Sequence, residues 1–208
     1  NLDLKAARNQ QIESGFKYQS AVTEASIDVF YINSRDELII DQSIGGRTSY
    51  RNAASSSRRG LEFFWQQQIS HSWQQRLSST LLESHFETET MLSRELPGVA
   101  RVQHDWLLEY RPWQDESWLL RTQINYRGKL MVDDNNSLSA PSVTLLQLDS
   151  RWQLDLQHSQ WQLWLGLENA MNKKYVGAVV VNQNNGRSFE PGIPRQWVAG
   201  LQLSIAID

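Results

Sequence analysis

The chain has 208 residues, of which 40% are hydrophobic and 21% charged, and its net charge is −3, so it advertises neither a basic nucleic-acid face nor an acidic solvating tail. Zero cysteines exclude disulfide scaffolds, thiolate nucleophiles and cysteine metal sites. The longest apolar run, near Val176 to Val181, falls far short of the roughly 18 residues of a membrane-spanning helix, whereas nine tryptophans favour an interface that is apolar on one side and wet on the other.

Two-residue alternation recurs along the chain and no helical period does, which predicts strands with two different faces. Nine strands are drawn: 11 to 19, 25 to 40, 48 to 70 with a kink near Gly60, 73 to 86, 101 to 111, 117 to 132, 143 to 157, 160 to 176, and 196 to 207. Short connections fall at Ser20 to Glu24, His71 to Ser72, Pro112 to Glu116 and His158 to Ser159. Long ones fall at Asp41 to Arg47, Glu87 to Ala100, Asp133 to Ser142 and Gly177 to Arg195, and hold most of the Gly, Pro and Asn. Short turns at one rim and long loops at the other are the habit of an outer-membrane β-barrel.

The last five strands carry the case. One face has Val102, His104, Trp106, Leu108, Tyr110; Trp118, Leu120, Thr122, Ile124, Tyr126, Gly128, Leu130, Val132; Thr144, Leu146, Leu148, Ser150, Trp152, Leu154, Leu156; Trp161, Leu163, Leu165, Leu167; and Trp197, Ala199, Leu201, Leu203, Ile205, Ile207. None is Asp, Glu, Lys or Arg. The interleaved positions hold Arg101, Asp105, Glu109, Arg111, Arg121, Arg127, Lys129, Asp149, Arg151, Asp155 and Glu168. A charge facing lipid costs about 2 to 4 kcal/mol at the bilayer midplane, while a wet lumen tolerates it. The first four strands alternate less cleanly, with Phe30, Ile32, Phe64 and Gln75 against the pattern.

A soluble β-sandwich also alternates, with its apolar face turned into a core. Three features favour the barrel. Trp73, Trp118 and Trp161 each follow a short turn on the apolar face, where an interfacial girdle would sit. The strands exceed the usual five or six residues of globular sheets, and the polar face is rich in Gln, Ser and Asn.

Scattered motifs over essentially all 208 residues resemble the second half of a TonB-dependent outer-membrane receptor barrel. Asn1-Leu2-Asp3-Leu4-Lys5 with Glu13 and Gly15 is similar to the family's Asn-Pro-x-Leu-Lys-Pro-Glu segment, with Leu2 in place of proline. Gly46 to Ala53, then Arg58-Arg59-Gly60-Leu61-Glu62, is similar to its Tyr-x-Asn-Ala to Gly-hydrophobic-Glu stretch. Leu96-Pro97-Gly98-Val99-Ala100-Arg101 resembles the family's Pro-Gly-x-x-Arg strand entry, and Phe189 to Arg195 its approach to the final strand. Asn169, Lys173 and Tyr175 match its Asn-Leu-Phe-Asp-Lys-x-Tyr segment. Asp36-Glu37, Gly45-Gly46-Arg47 and Val179 to Arg187 look closest to the branch associated with pyrroloquinoline quinone uptake.

The resemblance implies an all-β fold, the C-terminal nine or so strands of a 22-stranded antiparallel barrel, with the plug domain and first barrel strands expected upstream of residues 1–208. It implies an outer-membrane receptor that imports a scarce metal chelate or cofactor with TonB-coupled energy. The implied partners are outer-membrane lipid, the nutrient and, through the plug, the TonB complex, with no nucleic acid, no cofactor and no catalytic set. An expected aromatic at the end of such barrels is replaced by Asp208.

Under this topology Arg101 and Arg127 face the lumen near the outer rim, and Arg47, Tyr50, Arg51 and Arg187 lie in or beside outer loops. Arginine's planar fork suits an anionic chelate or polycarboxylate. The competing reading pairs these arginines with neighbouring acids, as expected for Arg151 with Asp149 or Asp155. His71, His85, His104 and His158 are scattered, so no metal site is expected. Asp133-Asp134-Asn135-Asn136 lacks a calcium-loop spacing and reads as a solvated loop. Two other functions stand beside import. A passive pore or adhesin would be a smaller barrel with an even strand count, and a soluble sandwich module would stay soluble without detergent.

Overall fold

Alternating side chains with one uncharged row can satisfy their backbone only by pairing sideways, and the chain does so along its length. The computed structural model describes residues 4–53, 55–87, 94–113, 117–183 and 186–205. Its strands are β1 (Arg8–Gln19), β2 (Thr23–Arg35), β3 (Leu38–Ile44), β4 (Arg47–Asn52), β5 (Ser55–Gln68), β6 (Trp73–Phe86), β7 (Val102–Tyr110) and β8 (Trp118–Arg127). They continue with β9 (Leu130–Met131), β10 (Ser139–Ala140), β11 (Val143–Leu156), β12 (Ser159–Glu168), β13 (Val176–Val179), β14 (Phe189–Pro191) and β15 (Gln196–Ile205). Nine of them form one antiparallel sheet in the order β1-β2-β5-β6-β7-β8-β11-β12-β15. The other six make three hairpins, β3/β4, β9/β10 and β13/β14, all within the long loops.

The register keeps the uncharged row on one face across the sheet. Trp197 lies opposite Leu167, Leu167 opposite Leu148, Leu148 opposite Thr122, and Thr122 opposite Leu108. The row continues through Trp106 opposite Leu77, Leu77 opposite Trp65, and Trp65 opposite Ala25. These side chains are not covered by a second sheet: Leu201 is 59% exposed and Leu163 47%. Among the described residues this apolar surface is continuous from β1 to β15 and no second sheet lies over it.

The buried core lies elsewhere. Phe86 packs with Ala53 and Leu96, and Leu130 with Ala100 and Ala140, all at the long-loop end. This corrects three assignments: Gly128, Leu130 and Val132 lie beyond β8, and Leu130 and Val132 are 6% and 1% exposed in the loop core. Predicted strands also break where the backbone turns. The second ends at Arg35 because Asp36 adopts a φ of 53°, a left-handed conformation tolerated by Asp and Asn. The third divides near residue 53 into β4 and β5, so Gly60 lies inside an unbroken strand. The eighth ends at Glu168, before Asn169 with its φ of 45°.

The residues against the pattern have distinct fates. Phe30 lies on the polar face directly over Gly60, where an added Cβ would meet its Cζ at 2.4 Å. Gln75 stays on the apolar face and is satisfied there, accepting from Trp106 Nε1 at 3.4 Å and donating to Gln67 Oε1 at 3.4 Å. At the short-turn end, Trp73 stacks on Tyr110 at 4.2 Å and Trp118 on Trp152 at 6.3 Å. Asn1 to Asp3, part of the turn at 112 to 116, Ile207 and Asp208 lie outside the described residues.

Candidate functional site: the outer loops and the polar wall beneath them

Four long connections meet at one end of the sheet, and side-chain amides and carboxylates knit them. Asn182 is the hub. Its N–H donates to Val132 O (3.0 Å), its Nδ2 to Ile40 O (2.6 Å), and its Oδ1 accepts from Asp134 N (3.1 Å). Ser43 N donates to its carbonyl at 3.2 Å. One residue therefore joins the loops after β2, β8 and β12. Asn136 exchanges hydrogen bonds with Glu95, 2.7 and 2.9 Å, adding the loop after β6.

The motifs that carry the family resemblance turn out to be these knots. Asn52 of the Tyr-x-Asn segment donates from Nδ2 to Asp36 O (2.6 Å) and Lys5 O (2.9 Å) and accepts from Lys5 N (2.8 Å). Asn169 is 4% exposed and donates to Lys173 O (2.8 Å) and Ile193 O (3.0 Å). The Tyr175 ring covers Gly192 so closely that a Cβ there would sit 2.2 Å from its Cζ. The Asn169 to Tyr175 motif and the Pro191-Gly192-Ile193 motif thus form one joint.

Asp133-Asp134-Asn135-Asn136 is an anchored turn, more ordered than the solvated loop expected. Asp133 accepts from the backbone of Asn135 (2.9 Å), Ser137 (3.1 Å) and Leu138 (2.8 Å) and from Ser137 Oγ (3.0 Å). Burial raises its carboxyl pKa, but those hydrogen bonds outweigh burial and hold it below the usual carboxylate range.

The predicted binding residues scatter among these contacts. Arg51 pairs with Asp134 at 2.7 Å and Asp41 at 3.3 Å. Arg101 reaches Glu83 at 3.0 Å and Glu95 at 3.8 Å, and Glu83 lies opposite Arg59 in the row of Leu81, so this cluster belongs to the outward face. Arg47 and Tyr50 are exposed on the β3/β4 hairpin, Tyr50 by 51%. Arg187 is already engaged within the protein. Arg151 was expected to pair with Asp149 or Asp155, but among the described residues it makes no ion pair with either, and Asp155 accepts from Gln160 (2.9 Å) and Gln153 (3.1 Å). Arg151 lines a recess with Gln153, Gln162, Trp164 and Gln202.

Arg127 is different in kind. Its Nη2 donates to Val176 O at 2.6 Å and its Nη1 to Gly177 O at 3.1 Å, while Nε is buried without a partner. Burying an unmet donor costs about 1 to 3 kcal/mol. It borders a recess of about 460 Å³ on the polar face, lined also by Ser78, Thr80, Gln103, Asp105, Asn125 and Tyr175. No sequence signal announced this contact, because residues 127 and 176 are joined only by the folding of a long loop.

The family described as TonB dependent receptor-like, beta-barrel matches residues 1–170. Solved structures with the same fold include BauA, the ferric preacinetobactin receptor of Acinetobacter baumannii, with 18% identity over 93% of this chain and 29% of that one, at a TM-score of 0.74. FyuA, the ferric yersiniabactin uptake receptor of Yersinia pestis, gives 17% identity over 96% and 30%, also at 0.74. The unliganded ferric citrate transporter FecA gives 16% identity over 94% and 31%, at 0.77. The chain spans about 30% of the length of these structures. The matched proteins are receptors and transporters, not enzymes. Its family match over residues 1–170, most of its length, shows that the chain belongs to the TonB-dependent receptor β-barrel family.

Proposed function

We propose that this chain is the C-terminal portion of an outer-membrane receptor that captures a scarce nutrient, a metal chelate or a cofactor such as pyrroloquinoline quinone, and imports it with TonB-coupled energy. The observation that carries the reading is the division of labour along each strand. An apolar row faces outward, charged only toward the loop end where Arg59 pairs with Glu83, a polar row faces inward, and the protein core is gathered in the loops above them. Such a wall is inert toward lipid and wet toward a passing solute. In this reading the plug and remaining strands come from the upstream part of a longer protein, and the plug makes the TonB contact.

Arg47, Tyr50, Arg51, Arg101, Arg127 and Arg187 are carried forward as ligand-binding residues with unequal standing. Arg47 and Tyr50 are exposed on the β3/β4 hairpin, and Arg127 lines a recess, so these three are the stronger candidates. Arg51 already holds two carboxylates, so a ligand must compete for it, and Arg101, expected to face the lumen, is instead held by Glu83 on the outward face and is the weakest of the six.

The test is uptake by cells making the complete receptor, with and without functional TonB. Radioiron-labelled ferric citrate, a radioiron-labelled hydroxamate, copper and pyrroloquinoline quinone serve as probes. Uptake of one probe that disappears without TonB is the expected result. Uptake that persists without TonB would favour the passive pore.

A further inference from the structure

Arg8 and Arg35 are Cα partners across β1 and β2, so their side chains leave one face of the sheet from Cβ atoms about 5 Å apart. Like charges placed directly opposite repel. Further along the sheet the same problem is solved internally, for Arg59 and Arg101 share Glu83, and Arg101 also reaches Glu95. Arg8 and Arg35 have no such relief. Both are exposed, no carboxylate lies within ion-pair distance of either among the described residues, and Glu37, two residues beyond Arg35, is taken by Arg58.

Alternation puts Arg8 on one face with Ile12, Phe16 and Tyr18, and Arg35 with Tyr31, Val29 and Ala25, which belong to the outward row. Tyr18, near the short-turn end, is ten residues from Arg8, and Trp73 is ten residues from Glu83 on β6. Ten residues span about 33 Å of strand, and a tilt of about 40° reduces this to about 25 Å of height, which is the height of the apolar band on an outer-membrane barrel. The unpaired arginines therefore stand at the far edge of that band, on the long-loop side, with the exposed side chains of Ile12, Phe16, Val29 and Tyr31 below them.

We infer that Arg8 and Arg35 clamp the phosphate of an outer-leaflet lipid headgroup, whose acyl chains lie along that apolar stripe. The inference rests on the outer-membrane part of the import reading and is independent of the nutrient. A phosphate supplies the negative charge that the pair lacks, and its oxygens accept from both planar guanidinium forks. The Arg59–Glu83–Arg101 cluster already carries its own acid, so the headgroup is drawn to β1 and β2 instead.

The complete receptor is reconstituted in phosphatidylcholine vesicles containing a minor share of phosphatidic acid, floated on a density gradient, extracted into mild detergent and weighed by native mass spectrometry. Retention of phosphatidic acid in preference to phosphatidylcholine is expected, and excess inorganic phosphate, which lacks acyl chains, should not displace it. The Arg8→Gln, Arg35→Gln double variant should retain about 25-fold less, about fivefold for each arginine. Lysine at both positions, charge without the fork, should fall between, and Arg151→Gln, on the inward face, should match the wild type. Heat-dependent gel mobility reports the folding of each variant. Unchanged retention in a folded double glutamine variant, no preference for phosphatidic acid, or displacement by inorganic phosphate overturns the clamp. A receptor that does not float with the vesicles removes the membrane reading and the clamp together, whereas one that floats without retaining phosphatidic acid loses the clamp alone.

Discussion

Arg58 grips Glu37 with both ends of its guanidinium, Nη2 2.6 Å from Oε1 and Nη1 3.2 Å from Oε2, and so ties the loop after β2 to the top of β5. Burial raises the Glu37 pKa, but the hydrogen bonds from Arg58 and Ser56 and the charge of Arg58 outweigh it, and the net shift is downward. A carboxyl whose pKa is depressed on folding adds stability above its unfolded value and loses it as pH falls through the folded value. The outer loops should therefore loosen below the ordinary glutamate range, near pH 4 and lower. Arg58→Gln should remove this acid sensitivity and cost about 1.5 to 3 kcal/mol at neutral pH. Amide exchange at 36–53 against pH checks both.

Neighbouring residues on β11 offer a sharper contrast. Leu148 faces outward, opposite Thr122 and Leu167, and Gln147 faces the polar side, opposite Gln123. Leu148→Arg should destabilise the receptor by about 2 to 4 kcal/mol in bilayers, while Gln147→Arg should be nearly neutral. Urea titration of refolding into lipid vesicles measures the two side by side.

Gly60 is needed for space. A Cβ there meets Phe30 Cζ at 2.4 Å and Leu81 O at 2.9 Å. Gly60→Ala should cost about 1 to 3 kcal/mol by overpacking. Phe30→Ala in the same chain should recover only part of the loss, because the Leu81 carbonyl is backbone and cannot move aside. A double-mutant cycle on urea midpoints gives the coupling.

At the short-turn rim, Trp73 stacks on Tyr110 at 4.2 Å with planes 21° apart. Trp73→Ala should lose the burial of the ring and about 0.5 to 1.5 kcal/mol more for the aromatic pair, and Trp73→Phe should keep most of it. Midpoints in vesicles of fixed lipid composition report this directly.

Much of this architecture was legible from period-2 alternation because one face of the last five strands carries no charge, and a slip of one residue would turn that whole face over. Hence Leu148, Leu167 and Trp197 were assigned to one face from sequence and meet in register. Phe30 misled because its partner is an absence, the missing side chain of Gly60. The loops were opaque for another reason. Asn182 reaches Ile40 and Arg127 reaches Val176 across long stretches of chain, and no local propensity encodes such meetings. The motif residues Asn52 and Asn169 were visible as signals, yet their role as knots required the partners to be in place.

The central claim is that the uncharged rows face lipid tails. Nitroxide labels are placed on single introduced cysteines from residue 145 to residue 152, none of the 208 residues here being cysteine, in a complete receptor from which any other cysteine has been removed, reconstituted in vesicles, and tested for collision with oxygen dissolved in the lipid. High collision rates at 146, 148, 150 and 152 and low ones at 145, 147, 149 and 151 are predicted. Uniform rates, or high rates at the second set, would contradict the account.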